Sequence, residues 1–326
     1  MSGRVSSLIG RAALACLAIM ATAAAPAFGQ TYPTRPIVIL TPFAAGSVTD
    51  TTARAIAGHL QETLGQPVVV ENRAGAGGLI AASAVAKAKP DGYTFLITTN
   101  STHSAISLFK NVPYDPIKDF TPVARIGSFP SMVAVNPSVP FKTMQELVAY
   151  AKKNPGKLSC AHGNSTGHIT CEAIRQRTGT DILRVAYRSN PTGIVDLMAG
   201  HVQMMIPDFG TSLPQLPSGK ILPLAVITKE RSAQLPDVPT LHETVMPDYD
   251  LLAWAGMFAP AGLPPEIAER ISSAIGEFLA KDDVKERMRK SGVEVFYTGP
   301  DEFEDYVESE LVKWSNLIKE VGIPPQ

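Results

Sequence analysis

Short apolar runs alternate with segments of helical periodicity along most of this chain of 326 residues. Each apolar run predicts a buried strand, and each periodic segment predicts a helix that covers it, which is the pattern of parallel sheets flanked by helices. The alternation occurs in two series, which begin near residues 36 and 158. Two series predict an α/β fold with two lobes, each built on a mostly parallel sheet.

The boundaries of the lobes follow from where the chain is expected to cross between them. After a strand that ends at residue 126, the Gly-Ser-Phe-Pro segment at 127–130 is expected to carry the chain into the second lobe. A strand at 252–258 is expected to carry it back, with Trp254 packing at the hinge. The predicted lobes are therefore 30–128 with 252–326, and 129–251.

The second series contains the strands whose ends matter most for function. A strand at 158–161, a loop at 163–167 and a helix at 168–177 are predicted in succession, and a further strand is predicted at 202–206. In open α/β sheets, ligands bind beyond the carboxyl ends of the strands. We therefore expect the loop at 163–167 to face a ligand.

Charge and cysteine content exclude several classes of protein. The chain has 29 Lys and Arg against 30 Asp and Glu, a formal net charge of -1, so no basic field is present to hold a nucleic acid. Its three cysteines form no CxxC pair of the kind that binds zinc, and no nucleotide or metalloprotease motif is present. We expect no metal site, no cofactor and no nucleic-acid partner.

The first 29 residues predict a secretory signal peptide. Arg4 and Arg11 precede an apolar run with small residues near its end, and the run is too short to span a bilayer comfortably. Cys16 lies in the middle of this run, where a lipid anchor is not expected. Export to an oxidising compartment leaves two alternatives for Cys160 and Cys171, namely a disulfide or two buried thiols.

Three loops share one design, in which small and hydroxylic residues stand between a strand and a helix. They lie at 43–50, 99–104 and 163–168. The first amides of a helix have no partner within the helix and carry the positive end of its dipole, so such loops can bind a carboxylate. Ser, Thr and Asp are also ordinary helix caps, which is the alternative interpretation of each loop.

Longer motifs in this chain resemble a known family. The segment YPTRPIVILTPFAAGSVTDTTARAIAGHLQETLGQPVVVENRAGAGG and the shorter motifs VPYDPIKDFTPVARI, LPDVPTLHE and AWAGMFAPAGLP are similar to the solute receptors of tripartite tricarboxylate transporters, the Bug receptors. The resemblance implies a two-lobed periplasmic-binding-protein fold of type II. It also implies a periplasmic receptor, without catalysis, that delivers a small organic anion to membrane permease subunits.

In that family a carboxylate is held between loops of the two lobes, and the ligand is a mono-, di- or tricarboxylate, an acidic amino acid or an aromatic acid. The resemblance and the loops together predict the following ligand-binding residues: Phe43, Ala44, Ala45, Gly46, Ser47, Asp50, Asn100, Ser101, Thr102, Ser165, Thr166, Gly167, His168, Arg188 and Asp208. His103 is a further loop histidine that the sequence leaves open.

Three of these positions carry specific alternatives. Ser47 stands where the family frequently has a second glycine, so its hydroxyl either joins the site or narrows it. Arg188 replaces a frequent lysine, and it either holds a second carboxylate or lies in solvent at a strand end. Asp208 either orients a hydroxyl, amine or water of the ligand or caps a turn.

A hydrolase is the alternative function. The GNSTG segment fits the GxSxG pattern of a nucleophile elbow, with Ser165 as nucleophile, and Asp208 and His242 follow in the Ser, Asp, His order. Against it, the preceding LSCAH segment is a poor core strand, and no HGGG-type oxyanion segment is present.

Overall fold

The computed structural model describes residues 32–325, and it confirms the predicted α/β fold with two sheets flanked by helices. The predicted signal peptide and Cys16 lie outside the described residues. Within residues 32–325 we find no helix that combines the length and the apolar character needed to cross a bilayer.

The strands of the described chain are numbered in chain order: β1 Ile37–Thr41, β2 Val68–Asn72, β3 Thr94–Thr99, β4 Phe120–Phe129, β5 Met132–Val135, β6 Leu158–His162, β7 Ile182–Ala186, β8 Met204–Met205, β9 Leu222–Val226, β10 Ala253–Pro260 and β11 Glu294–Thr298.

The α-helices are numbered in the same way: α1 Val48–Leu64, α2 Leu79–Ala86, α3 Ser101–Leu108, α4 Met144–Lys153, α5 Ser165–Thr178, α6 Asn190–Ala199, α7 Phe209–Ser212, α8 Leu241–Thr244, α9 Pro265–Ala280, α10 Asp282–Lys290 and α11 Pro300–Glu320. Short 3-10 turns lie at Ala76–Gly78 and Leu213–Ser218.

The first lobe contains a six-stranded sheet in the order β11-β4-β10-β3-β1-β2, and the second contains a five-stranded sheet in the order β7-β6-β8-β5-β9. Both sheets are mixed. Strands β1, β2 and β3 pair in parallel, as do β6, β7 and β8. The antiparallel pairs are β10 with β3 and β4, β11 with β4, and β5 with β8 and β9.

The crossing into the second lobe is shorter than the sequence suggests. Strand β4 continues through Gly127 to Phe129, and only Pro130 and Ser131 separate β4 from β5, so of the predicted segment 127–130 only Pro130 lies outside a strand. A Cβ atom at Gly127 would lie 2.2 Å from the carbonyl oxygen of Glu294 in β11. The glycine therefore permits close approach of a neighbouring strand and does not mark a turn.

Two predicted bounds were wrong. Helix α5 begins at Ser165, three residues before the predicted start, because Asn164 caps it by accepting a hydrogen bond from the Gly167 amide at 2.8 Å. The predicted strand at 202–206 is reduced to Met204–Met205. The small polar segment that reads as a loop is thus the first turn of a helix.

Helix α11 packs against both lobes. Phe303 and Val307, near its start, lie in a core cluster with strands of the first sheet. Trp314 and Ile318, nearer its end, belong to the main core cluster of the second lobe. The Trp314 indole N–H donates to Glu310 at 2.8 Å, which satisfies the one polar atom that this ring buries.

Candidate carboxylate-binding site

A narrow cavity lies between the two lobes, and we call it the cradle. It is lined by Phe43, Ser47, Val48, Thr49, Thr99, Phe129, Ser131, Gly163, Asn164, Thr166, Asn190, Asp208 and Ala253. Most of these residues stand at the ends of strands or at the starts of helices. Thr49, Thr166 and Asn190, for example, lie in the first turns of α1, α5 and α6.

The first-lobe side of the cradle is held by hydrogen bonds within its loop. Gly46 adopts a φ of +80°, which favours glycine, and Ser47 caps α1 by accepting from the Asp50 amide at 3.2 Å. The Asp50 carboxylate accepts from the Gly46 amide at 2.9 Å, from Asn72 at 2.8 Å and from Arg54 at 3.2 Å. Burial alone would raise the pKa of Asp50, but these hydrogen bonds lower it on balance. Asp50 therefore braces the loop and does not line the cavity.

The second-lobe side is equally compact. A Cβ atom at Gly163 would lie 2.2 Å from the carbonyl carbon of Ser189, so only glycine lets this turn pack against the start of α6. Thr166 is 2% exposed and faces the cavity from the first turn of α5.

A disulfide between Cys160 and Cys171 joins β6 to α5, with the two Cα atoms 6.0 Å apart. Of the two alternatives that the sequence left open, the structure therefore contains the disulfide. The bridge encloses the whole turn from Ala161 to Thr170. It consequently ties the second-lobe side of the cradle to its sheet.

Asp208 is the one ionisable side chain that lines the cradle, counted over the described residues. It caps α7 by accepting from the Thr211 amide at 2.8 Å, and it also accepts a short hydrogen bond from the Asn190 side chain. Burial raises the pKa of Asp208, although these hydrogen bonds oppose the shift. The capping alternative is thus observed, in a position that also faces the cavity.

The third loop lies beside the cradle and joins the lobes. The Ser101 and Ser165 hydroxyl oxygens are 2.8 Å apart, and the Asn100 side chain donates to Ser165 at 3.2 Å. On another side, a Cβ atom at Gly210 of the second lobe would lie 2.7 Å from the Val48 side chain of the first lobe. The lobes are therefore in contact at two places around the cavity.

A catalytic triad is not assembled around Ser165. Its hydroxyl contacts Ser101 and Asn100, and neither is a base. His242, the proposed base, lies in α8 and its Nδ1 accepts from the Asp248 amide at 2.8 Å. His103 is also unavailable, because it is 2% exposed and packs between Trp254 and Phe258, where burial lowers its pKa to about 3.

A second, larger space adjoins the cradle and shares Phe43, Gly163 and Asn164 with it. We call it the distal chamber. Its other lining residues are Gly75, Ala76, Gly77, Gly78, Ser101, Leu108, Phe109, His162, Ser165, His168, Ala186, Tyr187 and Arg188. The two spaces together offer room for an elongated molecule with one end at the helix starts.

The predicted ligand-binding residues fall into three groups, namely those that line the cradle, those that line the distal chamber and those that line neither space. Those that line the cradle are Phe43, Ser47, Thr166 and Asp208. Those that line the distal chamber are Phe43, Ser101, Ser165, His168 and Arg188. Those that line neither space are Ala44, Ala45, Gly46, Asp50, Asn100, Thr102 and Gly167. Of the last group, Asp50 and Asn100 position their neighbours, and Thr102 bonds Thr98 at 2.6 Å.

Several lining residues were missed by sequence reasoning. Thr99 lies within the predicted loop at 99–104 but was not singled out as a ligand-binding residue, and Asn190, the first residue of α6, lies two residues after the predicted Arg188. His162 lies next to the predicted loop at 163–167. The glycine-rich turn at 75–78 also lines the chamber, and its sequence gives no sign that it faces a ligand.

A family model described as "Tripartite tricarboxylate transporter family receptor" matches residues 52–323. The chain belongs to this receptor family. It is 36% identical to Rpa4515 of R. palustris, solved with adipate, with a TM-score of 0.87 over 90% of this chain and 100% of that one. It is 33% identical to the periplasmic binding protein BugD, with a TM-score of 0.86 over 90% and 100% of the two chains. MatC (Rpa3494) of Rhodopseudomonas palustris, solved with malate, is 31% identical, with a TM-score of 0.82 over 88% and 100%.

These findings decide between the two functions that the sequence left open. The family consists of periplasmic solute-binding receptors and not of enzymes, so this receptor binds a solute and the hydrolase alternative is not supported. The resemblance found in the sequence motifs is thereby confirmed.

Proposed function

We propose that this receptor captures a small organic carboxylate in the cradle and delivers it to the membrane permease subunits of a tripartite tricarboxylate transporter. Residues 1–29 direct its export to the periplasm in this proposal. The lobes, taken as 30–128 with 252–326 and as 129–251, close on the ligand, and the protein carries out no reaction on it.

The convergence of helix N-termini on the cradle is the observation that carries the proposal. The starts of α1, α5 and α6 line one narrow space, and the end of β3 opens into the same space. Each helix start presents unpaired N–H groups and the positive end of its dipole, and both favour an anion. A carboxylate can accept several of these hydrogen bonds at once, whereas a neutral ester cannot match its charge.

The lining side chains suggest individual roles. Ser47 and Thr166 bring hydroxyl groups from opposite lobes, and Phe43 forms an apolar wall between the cradle and the distal chamber. In the proposal Asp208 accepts a hydrogen bond from a hydroxyl, an amine or a water beside the bound carboxylate. Ser165 and Ser101 keep the lobes together through their 2.8 Å contact.

The ligands of two relatives support an acid as the ligand. Rpa4515 was solved with adipate and MatC with malate, and both molecules are small carboxylates. The contacts between the lobes around the cavity are those expected when the cleft is closed.

Titration calorimetry with adipate and its dimethyl ester tests this proposal directly. We expect heat of binding from the acid and none from the ester, and an increase in melting temperature with the acid alone. Equal affinity for the two would contradict it. Labelling of Ser165 by a fluorophosphonate probe would contradict the absence of catalysis.

A further inference from the structure

The charge in and near the wall of the distal chamber is positive on balance. Arg188 lines it, and its guanidinium has no hydrogen-bond or ion-pair partner anywhere in residues 32–325. Behind the chamber, Arg184 and Arg175 share one acidic partner, Glu172, at 3.4 and 2.8 Å. None of the described residues that line the chamber is acidic. Asp196, bonded to the lining residue Tyr187 at 2.6 Å, is a second carboxylate near this wall. The three guanidinium groups thus outnumber the two carboxylates, and the excess charge favours an anion in the chamber.

Two imidazole rings lie stacked in the wall of this chamber. His162 ends β6 and His168 lies in the first turn of α5, with ring centroids 4.7 Å apart and planes at 11°. Nε2 of His168 accepts a hydrogen bond from Arg184, which has only donors, so this nitrogen carries no proton. Nε2 of His168 thus has its hydrogen-bond partner within the protein, in Arg184.

The other ring is different, because Nε2 of His162 is buried and has no partner in the described chain. His162 is 7% exposed, and it lines the chamber. Buried polar atoms in native proteins are nearly always hydrogen-bonded, so an unpaired one in a residue that lines a cavity is a candidate contact for a bound molecule. The Arg188 guanidinium and Nε2 of His162 thus both lack a partner, and both residues line this chamber.

We propose that the distal chamber holds the second acid group of a dicarboxylate between the Arg188 guanidinium and Nε2 of His162, and that the imidazole pair takes up a proton when this group binds. The inference rests on the proposed capture of a carboxylate in the cradle, and it adds the class of acid and a chemical linkage to pH.

The surroundings of His162 determine the sign of this linkage. Burial, together with the positive charge of Arg184, lowers the pKa of His162 to about 4. Burial, together with His162 and Arg184, lowers the pKa of His168 to about 3. From β7 and the following loop, Arg184, Tyr187 and Arg188 face the pair, and the Tyr187 hydroxyl is bonded to Asp196 at 2.6 Å.

From α5, only Glu172 brings negative charge near the pair, and Arg184 and Arg175 engage it. The loop of Phe43, the turn at 75–78 and Ser101 bring no ionisable group to the chamber wall. Both rings are consequently neutral in the unliganded protein at neutral pH. A bound carboxylate favours the charged ring and raises its pKa, so binding consumes a proton and the affinity increases as pH falls.

The expected size of the pH dependence follows from the pKa that the imidazole reaches in the complex. If the ligand returns the imidazole to between about 6.5 and 7, the affinity for the dicarboxylate is roughly four to ten times higher at pH 6 than at pH 8. A monocarboxylate leaves the chamber without a second charge, so its affinity changes little over the same range. The difference between the two acids is the signature of the proposal.

Calorimetry at pH 6 and pH 8 with adipate and hexanoate, which have the same chain length, tests it. At pH 6 the adipate titration is repeated in two buffers of different ionisation enthalpy, which reports the protons taken up. We expect tighter binding of adipate than of hexanoate, proton uptake with adipate alone, and a pH dependence confined to adipate. The same paired comparison with succinate and butyrate extends the test to a shorter chain.

Two variants and one control locate the effect. His162→Gln should abolish proton uptake and reduce the ratio of dicarboxylate to monocarboxylate affinity by about fivefold, and Arg188→Gln should reduce the same ratio. His59→Gln is the matched control, because His59 lies about 16 Å along α1 from its first residue and stacks on Phe278. Should His162→Gln fail to fold by circular dichroism, the buffer experiment on the wild type still decides.

Each outcome separates this inference from the function on which it rests. Equal affinity for diacids and monoacids, or diacid binding without proton uptake, overturns the inference and leaves capture of a carboxylate intact. A lack of binding by every acid overturns the proposed function and the inference with it.

Discussion

The cradle and the distal chamber adjoin each other but are built from different chemistry. The cradle is narrow and is lined largely by helix starts, with Asp208 as its one ionisable side chain among the described residues. The chamber is larger and is lined by side chains that include His162, His168, Arg188 and Phe109. Backbone groups are the same in every member of a fold, whereas side chains vary. The cradle is thus suited to the acid group that all ligands share, and the chamber to the part that distinguishes them.

Of the four changes considered, filling the cradle should weaken ligand binding most, because it removes the site that all carboxylates share. Thr166→Phe places an aromatic ring where a 2% exposed side chain now faces the cavity. We expect every carboxylate to bind at least about 100-fold more weakly, about 2.7 kcal/mol, because the ring blocks access to the helix starts. Calorimetry with mono- and dicarboxylates measures the loss. Thr51→Phe, at an exposed position in the first turns of α1, is the control, and equal losses in both variants would show that the effect is not local.

Removing the disulfide should loosen the turn that both spaces share. The bridge closes a loop with a sequence separation of 11, for which the chain-entropy model gives about 3 kcal/mol of stability. The Cys160→Ala/Cys171→Ala double variant should therefore unfold at lower urea concentration than the wild type. Wild-type protein in reductant should behave like the variant. A wild type whose unfolding is insensitive to reductant, with both thiols shown to be free, would contradict this prediction.

Changing the chamber alone should separate the two classes of ligand. Arg188→Ala removes a guanidinium that has no partner in the described protein, so we expect a dicarboxylate to lose about 1.5 to 3 kcal/mol of binding free energy. A monocarboxylate of the same length should lose much less. Arg287→Ala, which removes an exposed arginine from α10, controls for the change in net charge. Equal small losses for both acids would mean that Arg188 contributes only a diffuse positive potential.

The smallest effect is expected at the first-lobe side of the cradle. Ser47 caps α1, so Ser47→Ala should lower the free energy of unfolding by about 1 kcal/mol and Ser47→Gly by only a few tenths of that amount. Both variants should weaken ligand binding by about threefold, about 0.65 kcal/mol, because backbone amides remain. Urea unfolding and calorimetry measure the two quantities. A tenfold or greater loss of affinity would mean that the hydroxyl itself is a principal contact.

Local patterns were sufficient for most elements because their causes are local. The run at 37–41 is a strand because its apolar residues are buried on both faces of a sheet, and Ser47 and Asn164 start helices because their side chains cap the next turn. The bounds failed where a distant residue decided them. Gly127 continues β4 because β11 passes against it, and no pattern within 20 residues of Gly127 contains that information.

The sequence by itself determined the two-lobed α/β class, the family and the loops that carry the site, since each depends on periodicity, capping or motifs that lie close together in the chain. Tertiary structure alone decided that Cys160 pairs with Cys171, that Asp50 braces a loop while Asp208 faces the cavity, and that Nε2 of His162 is left without a partner near Arg188. The physical reason is that burial, hydrogen bonding and charge at these atoms are set by neighbours from other strands and helices, whose positions the packing of the whole chain fixes.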